Sequence, residues 1–236
     1  MRKLSFILMV VLAVSFTGCK KEKLITLPMT STTLHHGETY QIAAECENPI
    51  TYSSANEYHA KVSSSGLVTA KFVGNTIVTL QSEEDTKTFS VTVSPMSNLY
   101  AEPNISFGET KNSVISKLGT PDATTDDGLG YNNYSSAAQM LLVLLDEHDK
   151  VKGYGVIVKS SYTSELSDFL GERYDYVGYS NEIFVYRNAL TNAETTMVVG
   201  MQLYNVNYWM VVYAPYDSKD NLNIASFDEL MKMLEK

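Results

Sequence analysis

Apolar and polar positions alternate one by one through much of residues 40–93. Tyr40, Ile42, Ala44 and Cys46 form one such row, Thr76, Val78 and Leu80 a second, Phe89, Val91 and Val93 a third. A period of two marks strands with one buried face. Turn signals separate the rows at His36-Gly37, Asn48-Pro49, Ser65-Gly66, Gly74-Asn75 and Glu84-Asp85. The pattern predicts about seven short strands and no helix, a small β-sandwich over residues 24–95.

The texture changes after Pro95. Met96 to Pro103 reads as a linker between two prolines. Thr110 can cap a short helix whose stripe is Val114, Ile115 and Leu118, and Gly119 and Pro121 stop it. Strand-like runs follow at Leu129–Tyr134, Met140–Leu145 and Val151–Val158. The pattern then restarts. Leu166, Leu170 and Gly171 stand 52 residues after Val114, Leu118 and Gly119, and Tyr186 stands 52 after Tyr134. Further strands are predicted at Tyr174–Val177, Glu182–Tyr186, Thr195–Leu203 and Tyr208–Tyr213. Two helix-plus-strands halves, about 105–158 and 162–214, predict one shared antiparallel sheet with helices on one face. A last amphipathic helix is predicted from Ser226 through Phe227, Leu230, Met231 and Leu234. The fold expectation is therefore mainly β with two domains: a sandwich at 24–95, then an α+β domain at 96–236.

The chain starts with Arg2 and Lys3, then a 13-residue run from Leu4 to Phe16 broken only by Ser5 and Ser15. Such a run is shorter than the ~20 residues that span a bilayer and suits a secretory leader. Phe16-Thr17-Gly18-Cys19 resembles a bacterial lipobox, although Phe16 stands where Leu or a smaller aliphatic is usual. The resemblance implies a signal peptide at 1–18, lipidation of Cys19 with acyl chains of the palmitate class, and a tether at 19–23. No Asp follows Cys19, which implies the outer membrane and leaves open whether the chain faces the surface or the periplasm.

Charge narrows the partners. The 236 residues carry 18 basic and 27 acidic side chains, a formal net charge of -9. That balance argues against nucleic acid, whose phosphates call for a basic patch. Two Cys make no disulfide scaffold.

Two stretches resemble known families. Leu34-His35-His36-Gly37-Glu38-Thr39-Tyr40, Ile50 to Asn56, Ala60-Lys61-Val62-Ser63 and Ser65 to Ala70, with Gly74 leading into the next strand, resemble a bacterial Ig-like domain of group 2. Tyr52 stands at the usual inward Trp. Members of that family serve mostly as spacers and adhesion modules. Phe107-Gly108-Glu109-Thr110 through Leu118-Gly119-Thr120-Pro121 resembles the helix of small outer-membrane assembly lipoproteins of the SmpA/OmlA kind and of the fold-related β-lactamase-inhibitor protein. That resemblance implies protein binding on an exposed sheet face and carries over no binding residue.

Candidate chemistry is sparse. No phosphate loop, serine-nucleophile motif or His-Glu-x-x-His occurs in the sequence. His35-His36 reads as a turn pair and Cys46 as a buried apolar thiol. Asp146-Glu147-His148-Asp149 and Asp126-Asp127-Gly128 read as turns, and Asp217 to Asp220 as an acidic loop without a regular calcium spacing. No catalytic residue, metal site or cofactor is expected. Thirteen of the 16 Tyr, and the single Trp, lie beyond residue 96. Tyr204, Tyr208 and Trp209, around an Asn205-Val206-Asn207 turn, are the ligand-binding candidates. The expected function is a non-enzymatic, membrane-anchored envelope lipoprotein for adhesion or ligand binding, with a glycan or an envelope or host protein as partner. A periplasm-facing protein that binds another protein is the alternative, and a hydrolase using acidic side chains a further one.

Overall fold

The computed structural model describes residues 24–180 and 182–216. The leader, Cys19, the Asp217–Asp220 loop and the helix predicted from Ser226 lie outside the described residues.

The alternating rows become strands. In order they are β1 (Ser31–Leu34), β2 (Thr39–Gln41), β3 (Thr51–Ser54), β4 (Ala60–Val62), β5 (Leu67–Ala70), β6 (Gly74–Gln81) and β7 (Thr86–Val93). They form two sheets, β1-β7-β6-β3 and β2-β5-β4, with β1 parallel to β7 and the other pairs antiparallel. Val78, Leu80, Phe89, Val91 and Val93 point into one core. Tyr40 packs against it from the facing sheet, Ala44 and Cys46 from the chain after β2, and Tyr52 from β3 of the same sheet. Gly66 (φ +81°) turns the chain where a Cβ would stand 2.9 Å from the Tyr52 ring. His35 and His36 end β1 in a turn and bond two separate carbonyls, of Ser94 and Lys71.

Residues 96–103 are not a free linker. Met96 is exposed, but Leu99 and Tyr100 are buried in the core of the second domain. Two apolar residues among polar ones show no period, although here they anchor the chain.

That core lies under α1 (Lys111–Leu118), followed by β8 (Ala123–Thr125), β9 (Gly128–Asn132), β10 (Ala138–Leu145) and β11 (Val151–Lys159). After a single 3-10 turn come α2 (Thr163–Gly171), β12 (Asp175–Ser180), β13 (Ile183–Arg187), β14 (Met197–Asn205) and β15 (Tyr208–Pro215). The order helix then four strands thus occurs twice. All eight strands join one antiparallel sheet, β12-β13-β14-β15-β11-β10-β9-β8, in which the two last strands pair at the centre. Val114 and Leu166, 52 residues apart, are the buried counterparts of α1 and α2. Tyr134 and Tyr186 are not counterparts: Tyr134 lies in the loop after β9, Tyr186 within β13. Asp146 to Asp149 form the β10–β11 hairpin turn, where the Asp146 carboxylate accepts the N–H groups of His148 and Lys150, each at 2.9 Å.

The start of α1 is built by side chains. Thr110 Oγ1 accepts the Ser113 N–H at 3.3 Å, the bond expected of an N-cap. Glu109 accepts the Ser106 N–H at 3.0 Å and the Ser113 hydroxyl, and its carboxylate sits 2.6 Å from Lys117 Nζ. The bond from Lys117, then those from Ser113 and Ser106, hold the Glu109 carboxyl down to about 2. A depressed folded-state pKa lends stability that is fully present above the ordinary value of 4.5 and is lost as the pH falls through about 2. Glu109→Gln is therefore expected to melt below the native protein at pH 6, and the gap to close by pH 2. Thermal melts between pH 6 and 2 measure this; a gap that does not shrink with acid contradicts the assignment.

Candidate functional site

Among the described residues, β12 has one neighbour, β13, and forms an edge of the large sheet. The pairing Tyr176↔Tyr186, Gly178↔Val185, Tyr179↔Phe184 leaves Val177 as an extra residue, a β-bulge at which Gly178 has φ +154°. In a regular strand, residues three apart point to opposite faces. The bulge cancels one step, so Tyr176 and Tyr179 stand on the same face, opposite Tyr186 and Phe184. That is the face on which α1 and α2 pack, because Tyr186 is in their core and Phe184 packs against it.

An aromatic row results. The Tyr176 and Tyr186 ring centroids are 5.3 Å apart, Tyr179 and Phe184 4.7 Å, and Phe184 and Trp209 6.3 Å edge to face. Met201 pairs with Phe184, and Leu203 pairs with Trp209. The row is buried at its inner end and open at its outer one: Tyr176 is 53% exposed, Tyr179 58% and Leu203 49%, while Met201 keeps 4%. Trp209 is fixed by its indole N–H, which donates to Thr163 Oγ1 at 2.8 Å at the start of α2. Arg187 holds the base of the edge strand: its Nε donates to Asp175 Oδ2 at 2.8 Å, and its other nitrogens reach Asn192 Oδ1 and the Leu190 carbonyl. The ledge offers flat rings with polar tips beside the backbone of an edge strand. It can stack on a sugar ring or an apolar side chain, and it can hydrogen-bond an extended chain.

The three sequence candidates do not form one site. Trp209 lies on the ledge. Tyr204 and Tyr208 pack on the opposite face of the sheet, against a separate apolar cluster. The step from Tyr208 to Trp209 changes face, and strand alternation alone carries that signal. Tyr176, Tyr179, Phe184 and Leu203 were missed, because the bulge that aligns the two tyrosines leaves no period in the sequence.

Two acidic groups converge beneath the other end of α2. Glu102 and Glu172 both face Arg173, at 3.4 Å from its Nε and 2.5 Å from one terminal nitrogen. Desolvation pushes the Glu102 carboxyl up, against the bond from Tyr174 and the charge of Arg173. Tyr100 and Tyr213 share a buried hydroxyl–hydroxyl bond of 2.8 Å beside them, and burial raises both phenols. These carboxylates are committed to internal partners. A cleft of about 810 Å³ opens nearby between the domains, lined among others by His36, Met96, Leu99, Tyr162, Glu165 and Asp168. Among the described residues, no group of three His, Cys, Asp or Glu is placed to hold a metal ion. No helix among them is long and apolar enough to cross a membrane.

The two domains are joined by direct bonds. The Val73 N–H donates to the Glu172 carbonyl at 2.8 Å, and the Tyr58 hydroxyl lies 2.7 Å and 3.2 Å from the Arg173 and Arg187 carbonyls. Burial pushes the Tyr58 phenol well up. The ledge is thus carried at a set orientation to the sandwich.

Residues 14–93 match the bacterial Ig-like domain, group 2. The first domain is that Ig-like domain, and the second is a further β domain that follows it. No curated protein matches the chain. Among solved structures, a C-terminal intimin fragment in complex with the intimin-binding domain of the translocated intimin receptor is 17% identical, with 55% of this chain covered and a TM-score of 0.24. This chain spans 59% of that fragment's length. Domains 5–6 of the S-layer protein SbsC are 13% identical over 83% of this chain and 85% of theirs, with a TM-score of 0.27. An intimin mutant from EHEC O157:H7 is 13% identical over 78% and 88%, with a TM-score of 0.25. Superpositions this loose assign neither a ligand nor a partner.

Proposed function

We propose that the chain is a non-catalytic lipoprotein of the bacterial cell envelope, anchored through Cys19, in which the Ig-like domain is a spacer and the second domain binds a ligand. The row of Tyr176, Tyr179, Phe184, Leu203 and Trp209, half open at a sheet edge, is the observation that carries this reading. Aromatic rings of that exposure are costly to leave bare unless they are used, and the composition suits a glycan or a protein surface. The leader, the lipobox-like Phe16-Thr17-Gly18-Cys19 and the Ig-like match support an envelope location. The outer membrane fits the residue after Cys19, a lysine.

Binding of labelled protein to glycan arrays and to cells tests the site. Tyr179→Ala is expected to weaken binding about two- to ten-fold, since one ring contact is worth about 0.5–1.5 kcal/mol. Tyr179→Ala with Leu203→Ala weakens it further, with the melting temperature lowered by only a few degrees, about 2–4 °C per kcal/mol lost, because both side chains are half exposed. Binding that is flat at high concentration, or insensitive to both substitutions, overturns the reading. A second reading has the protein face the periplasm and bind another envelope protein. The edge backbone of β12 favours it, because an edge strand can accept an extended segment of a partner. Protease shaving of intact cells separates the two: cleavage of the second domain means a surface protein, survival until the outer membrane is opened a periplasmic one.

A further inference from the structure

The cleft of about 810 Å³ opens where the connector and α2 meet the Ig-like domain. Small-molecule sites hold roughly 300–1,000 Å³ and gather at junctions between domains. None of the ledge rings lines this one. Part of its lining is apolar, from Met96, Leu99, Ala137 and the ring of Tyr162. The acid comes from one helix. Glu165, Asp168 and Glu172 stand at i, i+3 and i+7, so α2 and the residue that caps it present three carboxylates in a row along the cleft. Glu172 is paired with Arg173. Glu165 and Asp168 are exposed, and among the described residues neither carboxylate has an ion pair or a side-chain hydrogen bond. Carboxylates one helical turn apart repel each other. Asp168 also lies in the last turn of α2, which has no basic residue, and there the negative end of the helix opposes it. The cations and main-chain donors that border the cleft are spent. Lys159 Nζ donates to the Ser136 carbonyl at 2.8 Å, and Arg173 donates to Glu172 and to the Ser97 carbonyl. The Met96 and Ser97 N–H groups go to Glu172. His36 holds its Nδ1 on the Lys71 carbonyl. A carbonyl only accepts, so Nδ1 carries the proton, and in the neutral ring Nε2 is an acceptor.

We propose that this cleft binds an organic cation, an ammonium group carried on an apolar stem. The ammonium sits against Glu165 and Asp168, and the stem lies on Met96, Leu99 and Ala137. The lining selects for that chemistry. No Lys or Arg lines the cleft, so an anion would meet two carboxylates and no opposite charge. A metal ion would find two carboxylates and no third ligand, since no group of three His, Cys, Asp or Glu is placed to hold one among the described residues. A neutral ligand would leave the repulsion between Glu165 and Asp168 in place. The face of the Tyr162 ring attracts a cation as well. His36 belongs to the Ig-like domain and α2 to the second, so a ligand held here touches both.

The test uses residues 20–236, which keep both domains, and two probes that share the ammonium but differ in source. Cadaverine stands for a free polyamine, and Nα-acetyl-lysine amide for a peptide side chain. Each is titrated while the amide NMR spectrum is followed. Saturable shifts are expected at Ser97, Ala137, Glu165 and Asp168, and acetylation of the probe's free amines, which removes their charge, is expected to abolish them. The tighter probe identifies the source. Glu165→Gln with Asp168→Asn is expected to weaken binding about ten-fold, because both charge-assisted bonds are lost. Asp126→Asn with Glu147→Gln removes the same charge from two exposed turns and is expected to weaken it by less than about two-fold, because a distant exposed charge is screened. Met96→Lys places a rival cation at a cleft residue that is 72% exposed, and is expected to weaken binding with the fold intact even if the Glu165 and Asp168 variant melts early. No saturable shift from either probe, equal binding of the acetylated forms, shifts centred on the ledge, equal losses in the two double variants, or binding unchanged by Met96→Lys overturns the proposal.

Discussion

Glu172→Ala is expected to destabilise the protein by about 3–5 kcal/mol and to split its melting into two transitions. The carboxylate is 7% exposed and has three partners. Its oxygens accept the Met96 N–H at 2.8 Å and the Ser97 N–H at 3.0 Å, and one of them meets Arg173 at 2.5 Å. The guanidinium is itself 9% exposed. Removing one member of a buried ion pair leaves the other charge uncompensated, which costs about 3–5 kcal/mol. Two connector N–H groups also lose their acceptor, and an unsatisfied buried donor is costly in its own right. Arg173 retains the Ser97 and Phe169 carbonyls and the more distant Glu102, which keeps the loss from being larger. The connector is one of the ties between the domains, beside the Val73 and Tyr58 bonds to main-chain carbonyls that the substitution keeps, so its release loosens their coupling. Calorimetry reads both effects. A loss below about 1 kcal/mol with a single sharp transition would sink the idea of a lock at Glu172.

How much of this was legible in the sequence depends on how local the cause is. The sandwich was legible because each strand has one buried face, so the rows at 76, 78 and 80 and at 89, 91 and 93 declare themselves by period alone. The second sheet was legible as strands, yet its two-sided burial hid in plain continuous runs such as Met140 to Leu145. The lock was not legible. Glu172 and Arg173 look like solvated charges at a helix end, and their partners Met96 and Ser97 lie 76 and 75 residues away from Glu172. The ledge was hidden by a single inserted residue, Val177, which moves Tyr179 onto the face of Tyr176. Tyr204, Tyr208 and Trp209 looked like one site because they are near in sequence, and alternation across the strand sends them to two faces.

Phe169→Ala has an expected effect of similar size and also tests the lock from its other side. Phe169 has no exposed surface, its ring centroid lies 4.4 Å from that of Tyr100, and the Arg173 guanidinium carbon sits 3.8 Å over the ring. Truncating a buried Phe to Ala costs about 3–5 kcal/mol through lost transfer energy and the cavity left behind. The cation over the ring adds about 0.5–2 kcal/mol when desolvated. At about 2–4 °C per kcal/mol for a chain of this size, the melting temperature falls by roughly 10 °C or more. The context of the fall is the sharper reading. With Glu172 in place, the Ig-like domain is bonded to the C-terminal end of α2 and its transition moves down with the second domain's. In the Glu172→Ala background, where the Val73 and Tyr58 bonds to main-chain carbonyls remain, the same Phe169→Ala change lowers the second domain's transition and moves the first by less than in the native background. Both substitutions act on Arg173, so their costs are also expected to fall short of additivity by 0.5 kcal/mol or more. Transitions that move independently in the native background, together with costs that simply add, would show that the two domains share a boundary without being coupled through it.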